Sequence, residues 1–484
     1  MKVSTGIKGF DEIVHGGLPA TRSYLIVGGA GCGKTVLSLQ WLLDGVRRGE
    51  KSAYVTLAEP ASSIRHNASG FGWDLSGLEI LDLTALGESL TEGEYRVFQP
   101  NEVEHAEIWR SLFDFIQAKR PERLVIDSVT HLRYLSTDPY QFRKHVRGLV
   151  SCLNQAGCTA YLLYDPSELA REASVGLAVD GIVHLRRGIS PGLATGIRSI
   201  EVEKLRGTDF ISGLHPLRIG RDGVEVFPHR IEKTGSTRPG ELTISSGIAG
   251  IDELLGGGLE SGTTTMLCGP AGVGKSSLGT QFLIEGAKLG KRSILFTFEE
   301  SPESVMTRSR GIGLALAAHL QSGAVKIVRV NPMELYPDEF LAMVRRAVEE
   351  EGFSCVMVDS LRGYELAMEE FGMAKAHIHN LLTYLNRNAV TTLIVSEAEY
   401  ITSAELRATD LGVSHLADTV VLMRYAEYKG QVIKIINCLK KRIGGFQPEL
   451  RQLTIGSKGM AVGEKLEHLH GILTGMPTLS REAE

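Results

Sequence analysis

Short, almost unbroken apolar runs alternate with stretches of helical periodicity in the first half of this chain. SYLIVGG is followed by a predicted helix from Gly33 to about Arg48, then by SAYVTLA, and further on by RLVIDS, TAYLLYD and DGIVHLRR. Runs of Val, Ile and Leu without a polar face are what strands covered on both sides require. The pattern predicts α/β architecture, a mostly parallel sheet flanked by helices.

The pattern occurs twice. Residues 4–60 align without a gap to residues 245–301 at an offset of 241, pairing TGIKGFDEIVHGGL with SGIAGIDELLGGGL and SAYVTLAEP with SILFTFEES. Further on the offset drifts to 232 and then 236, as expected if insertions fell in loops. The 484 residues exceed what one core usually serves, so the chain is read as a tandem repeat. The expected domains are 1–235 and 236–460, with a polar tail over 461–484. The Gly-, Ser-, Thr- and Pro-bearing stretch EKTGSTRPGELTISSG (232–247) is the expected linker.

Each copy carries the pattern GxxxxGK[ST] between a strand and a helix. Gly28, Gly29, Ala30, Gly31, Cys32, Gly33, Lys34 and Thr35 form the first loop; Gly269, Pro270, Ala271, Gly272, Val273, Gly274, Lys275 and Ser276 form the second. Such a loop wraps backbone N–H groups around phosphates, the Lys reaches the β- and γ-phosphates, and the Thr or Ser hydroxyl binds Mg2+. ATP and Mg2+ are the expected ligands. Asp127 and Asp359 each end an apolar run before a Ser, where a carboxylate serves Mg2+ or, more blandly, caps a helix.

The two copies differ in one acid. TFEE places Glu299 and Glu300 beyond the strand that follows the second loop's helix, whereas TLAE leaves Ala58 and Glu59. A Glu there can orient or deprotonate an attacking water or hydroxyl; the alternative is a solvated acidic sheet edge. Near each copy's end, EKLRG and LKKRIG present Lys204 with Arg206 and Lys440 with Arg442, expected on one face of a strand. They could neutralise transition-state charge on a neighbouring subunit or simply form a basic edge.

Composition narrows the classes. With 43% hydrophobic and 23% charged residues the chain reads as a globular domain pair, and a net charge of −5 argues against nucleic acid as a partner. No signal peptide or membrane-length apolar stretch is evident, so the expected location is cytoplasmic. The six cysteines show no ligand spacing. Cys32, inside a phosphate loop, is either a small residue or an oxidation-sensitive thiol.

Together these motifs resemble the KaiC family of RecA-like ATPases, from about Ser4 to Ile455. The resemblance implies a two-tiered homohexamer with ATP between subunits, trans-acting roles for Lys204, Arg206, Lys440 and Arg442, and an unidentified regulatory protein partner. An ATP-driven signalling switch is the expectation; the acidic balance, the absence of an N-terminal DNA-binding module and the doubled ATPase domain disfavour the alternative, a RecA-like DNA-dependent ATPase of recombination or repair. Clock members also phosphorylate adjacent Ser and Thr residues in their second domain. In ATDLGVSHLADTVVLMRY, Ser414 falls on the acceptor Ser, but His415 replaces the Thr. A single-acceptor serine/threonine autokinase on Ser414 is the resulting expectation. The GILTG tail resembles noncircadian members, so no circadian role is expected.

Overall fold

The computed structural model describes residues 1–84, 100–135, 138–171, 173–189, 196–230, 242–368, 374–397, 413–428, 430–467, 469–470 and 478–479. The chain divides into two compact units, Met1–Arg230 and Ile231–Glu484.

The strands of the first unit's large sheet are β1 (Ser23–Gly28), β2 (Ser52–Thr56), β3 (Glu79–Asp82), β4 (Arg123–Asp127), β5 (Thr159–Tyr164), β6 (Gly181–Ile189), β7 (Gly196–Leu205), β8 (His215–Gly220) and β9 (Gly223–Val226). Their order across the sheet is β3-β2-β4-β5-β1-β6-β7-β8-β9. The six strands from β3 to β6 are parallel, and β7 to β9 extend the sheet antiparallel. Helix α1 (Lys34–Arg47) follows β1, and α2 (Ala61–Ser69) follows β2.

The second unit repeats this plan strand for strand. Its sheet contains β10 (Thr264–Gly269), β11 (Ser293–Thr297), β12 (Val325–Arg329), β13 (Cys355–Asp359), β14 (Thr391–Glu397), β15 (Thr419–Tyr428), β16 (Gln431–Lys441), β17 (Arg451–Gly456) and β18 (Gly459–Lys465). The order β12-β11-β13-β14-β10-β15-β16-β17-β18 is the same permutation. Helices α3 (Lys275–Lys288), α4 (Pro302–Gly311) and α5 (Leu361–Met368) follow β10, β11 and β13.

The apolar runs become central strands because a side chain on either face finds a core. On β1, Tyr24 and Ile26 enter one cluster while Leu25 and Val27 enter another on the opposite face. On β10, Met266 and Cys268 face one core and Leu267 the other. Each fully buried aliphatic side chain contributes about 1.5–3 kcal/mol relative to exposure. Two cores per sheet therefore hold the α/β sandwich that the alternating pattern predicts.

Two boundaries differ from expectation. Thr243–Ile244, inside the expected linker, pairs antiparallel with Leu259–Glu260, as Lys2–Val3 pairs with Leu18–Pro19 in the first unit. A two-residue strand has too few residues to show alternation, so its composition reads as linker. Strand β18 also runs through residue 460, where the polar tail was expected to begin, and pairs with β17. Among the described residues no helix is long and apolar enough to cross a membrane.

Candidate functional site

Both phosphate loops stand where β1 and β10, the central parallel strands, give way to helices. The last glycine of each loop has a left-handed conformation, with φ of 106° at Gly33 and 118° at Gly274, which favours glycine. A Cβ at these positions would lie 2.6 Å from Ile219 Cδ1 and 2.3 Å from Ile455 Cδ1. Neither α1 nor α3 has a side-chain cap on its first turn. Its leading N–H groups are thus available to an anion, with the positive helix end behind them. The helix predicted to open at Gly33 begins one residue later, because Gly33 is its cap.

In the first unit, Lys34 Nζ donates to the carbonyls of Gly28 and Gly29 at 2.5 and 3.0 Å. Thr35 Oγ1 donates to Asp127 Oδ2 at 3.1 Å, joining the hydroxyl and carboxylate expected for Mg2+. Tyr54, buried on β2, donates its phenol to the same carboxylate oxygen at 2.5 Å. Cys32 is buried and burial pushes its thiol up, so the oxidation-sensitive reading loses support.

In the second unit, Lys275 Nζ donates to Pro270 O at 2.8 Å and lies 3.9 Å from Glu397 Oε1. Burial lowers this lysine's pKa, with Glu397 and Asp359 opposing the shift. Ser276 and Asp359 line the same cavity, and Asp359 is 9% exposed. Burial is the main reason the Asp359 carboxyl is raised to about 6; Ser276 and Arg308 pull the other way, and Glu300 and Glu299 add to the rise.

Lys275, Ser276, Glu299, Glu300, Arg308 and Asp359 all line one cavity of ≈ 280 Å³. A strand's alternation normally sends adjacent side chains to opposite faces. Here β11 ends at Thr297, and both acids sit in the turn beyond it, so both reach the cavity. Glu299 Oε1 accepts from Ser360 Oγ at 2.7 Å, while Glu300 Oε2 accepts from Arg308 Nη2 at 2.9 Å.

The donor set suits Mg2+. A hydroxyl and a carboxylate at each site leave most ligand positions to phosphate oxygens and water, the mode Mg2+ prefers. Among the described residues no group of three or more His, Cys, Asp or Glu forms an all-protein cage. The peptide bond after each aspartate, Asp127–Ser128 and Asp359–Ser360, is cis.

The basic pairs lie differently from expectation. Strand β7 ends at Leu205 and β16 at Lys441, so Arg206 and Arg442 stand one residue beyond the strands that carry Lys204 and Lys440. A bulge interrupts each pairing at the same place, between Ile182 and Val183 and between Val420 and Val421. Lys204 Nζ donates to Gly176 O and Val179 O, and Lys440 Nζ to Ala417 O. Arg206 lies within 3.5 Å of Leu177 O, and Arg442 pairs with Asp418 and donates to His415 O. Ser414 lies on the one-turn helix Val413–Leu416 before β15. The neighbouring Thr409 and Asp410 lie outside the described residues.

Arg308, Ser360, Glu397 and Tyr54 are the site residues that motif reading missed. Carrying the offset of 241 a few residues beyond 301 exposes the first, since Arg308 then falls on Asn67.

Two loops with their Lys and hydroxyl, each facing a strand-end aspartate across a mostly parallel sheet, define a tandem P-loop ATPase. A model described as "ATPase: KaiC" matches residues 3–231 and 244–467, and the chain belongs to the KaiC ATPase family. It is 28% identical over 491 residues to the circadian clock protein KaiC3 of Synechocystis sp., covering 100% of this chain and 96% of that protein. The circadian clock oscillator protein KaiC of Synechococcus elongatus is 28% identical over 490 residues, covering 99% and 92%. The oscillator protein KaiC of Parathermosynechococcus lividus is 28% identical over 484 residues, covering 99% and 88%.

Proposed function

We propose that this KaiC-family ATPase is a Mg2+-dependent signalling switch. Its second site turns ATP over, and its first mainly holds nucleotide and supports a homohexameric ring. The observation that carries this reading is the unequal acid complement: Glu299, held by Ser360, faces the second site's cavity, and Ala58 takes that place in the first. Glu59 aligns with Glu300, the acid already engaged by Arg308.

In the second site Lys275 and the uncapped N–H groups of α3 hold the β- and γ-phosphates. Mg2+, bound through Ser276 and Asp359 there and through Thr35 and Asp127 in the first site, would supply Lewis-acid charge neutralisation. Glu299 orients a water in line with the γ-phosphorus and takes its proton. As that oxygen bonds to phosphorus, the bond to the β-phosphate oxygen breaks, releasing ADP and phosphate. Arg206 and Arg442, with Lys204 and Lys440 supporting them from the strand ends, supply positive charge to the neighbouring subunit's site. Nucleotide held at the first site favours the assembled ring through preferential binding.

The same base serves an autokinase when the attacking oxygen is the Ser414 hydroxyl. Two observations support this: Ser414 lies on the one-turn helix that leads into β15, five residues before the strand begins, and Arg442 donates to the carbonyl of the adjacent His415. The test is incubation with γ-labelled ATP and Mg2+, following free phosphate and protein-bound label in the wild type, Glu299→Gln and Ser414→Ala. Label on the wild type alone is the expected result. Free phosphate without any bound label rejects the kinase and leaves an ATPase switch.

A further inference from the structure

Glu299 and Glu300 leave one turn toward different partners. Glu299 is held by a neutral hydroxyl, Ser360 Oγ at 2.7 Å. Glu300 Oε2 instead receives two arms of one guanidinium, Arg308 Nη2 at 2.9 Å and Nε at 3.3 Å. The third arm, Nη1, donates to Ser277 Oγ at 3.0 Å, on α3 directly after Ser276. Arg308 thus fastens the acidic turn to the helix that opens at the phosphate loop.

The turn's backbone is common to both copies. Thr297 Oγ1 donates to Glu300 O at 3.0 Å, as Thr56 Oγ1 donates to Glu59 O at 2.5 Å. What differs is the side chains around it. At the offset of 241, Val36 stands for Ser277 and Asn67 for Arg308. Asn67 Nδ2 and Ser63 Oγ lie 3.5 Å from Glu59 Oε2, and both groups are neutral.

We infer that Arg308 is a positioning residue that selects which of the two acids works. It neutralises Glu300 and fixes it to α3, leaving Glu299 as the carboxylate that accepts the proton of the attacking oxygen. The inference rests on Glu299 being the base. Without the guanidinium, two adjacent ionised carboxylates share one small cavity. Glu300 then repels Glu299 and competes for Ser360 and for the water. Displacement of a reacting group by about 1 Å can cost up to about 10²-fold in rate. The planar fork suits this clamp better than a flexible ammonium does.

The test uses the full chain, with second-site turnover taken as the part of the ATPase rate lost in Lys275→Ala. Arg308→Asn, which installs the first copy's residue, is expected to lower kcat about tenfold with KM for ATP unchanged within about twofold, a loss of placement rather than of binding. Arg308→Lys should recover part of the loss, and it keeps the test valid if the Asn variant folds poorly. In a Glu300→Gln background, Arg308→Asn should have no further effect, because the charge it neutralises is gone. A raised KM, or an undiminished loss in that background, would show that Arg308 acts on ATP itself and overturn the inference. An unchanged kcat overturns it as well. Glu299→Gln is run alongside: if it leaves turnover intact, the base assignment fails and takes this inference with it. If it abolishes turnover while Arg308→Asn is silent, only this inference fails.

Discussion

The two sites share a strand order, a phosphate loop and a loop hydroxyl near a strand-end aspartate, yet differ in the acids beside them. In the second, Glu299 reaches Ser360 and Glu300 reaches Arg308. In the first, Ala58 removes one acid, and Ser128, the counterpart of Ser360, turns its hydroxyl to His131 Nδ1 at 2.8 Å. Loop geometry is therefore kept in both copies, and the two sites part at the groups proposed to move a proton. A duplicated scaffold can hold nucleotide twice and hydrolyse it mainly once.

Removing the acid from each site in turn should separate the two sites most strongly. Glu299→Gln should lower second-site turnover by about 10²–10⁴-fold, the usual contribution of a general base. Glu59→Gln should lower total turnover less than about tenfold, because no base stands at the Glu299 position in the first site. Steady-state ATPase assays on the two variants measure both effects.

Proton competition at Asp359 provides a second contrast. In the proposed mechanism Mg2+ takes the carboxylate, whose pKa burial raises to about 6. The sign follows: affinity is constant above pH ~6 and falls about tenfold per unit below it as the proton competes. Mg2+ titrations of second-site turnover between pH 5 and 8 should show this break.

Restoring the missing acid to the first site should have the smallest effect. Ala58→Glu should raise first-site hydrolysis by up to about tenfold, well short of what Glu299 supplies, because the new acid lacks the preorganised donor that makes such a group effective. Ser128 is already bonded to His131. Single-turnover assays in a Lys275→Ala chain, where only the first site binds ATP productively, would read the gain.

Much of this was legible in the sequence because its causes are local. Gly33 and Gly274 announce a left-handed loop end, and the runs at β1 and β10 announce strands with two covered faces. Asp127 and Asp359 were placed by the ends of their apolar runs. Features that depend on distant partners were not legible. Arg308 acquires meaning only when α4 brings it to Glu300 and Ser277. Lys204 and Lys440 find their carbonyl acceptors at Gly176, Val179 and Ala417, segments outside the strands that carry them. Thr243–Ile244 reads as linker until Leu259–Glu260 pairs with it. The shared strand order also could not be read from the repeat, since offsets align residues without saying which strands neighbour each other.

The nucleotide retained at each site would show whether the two copies divide holding from hydrolysis. Chains carrying Lys275→Ala or Lys34→Ala, each leaving one loop intact, would be incubated with ATP and Mg2+, freed of unbound nucleotide, denatured and analysed for ATP and ADP. Mostly ATP is expected from the intact first site and mostly ADP from the intact second. ADP recovered equally from both, or chiefly from the first, would contradict that division.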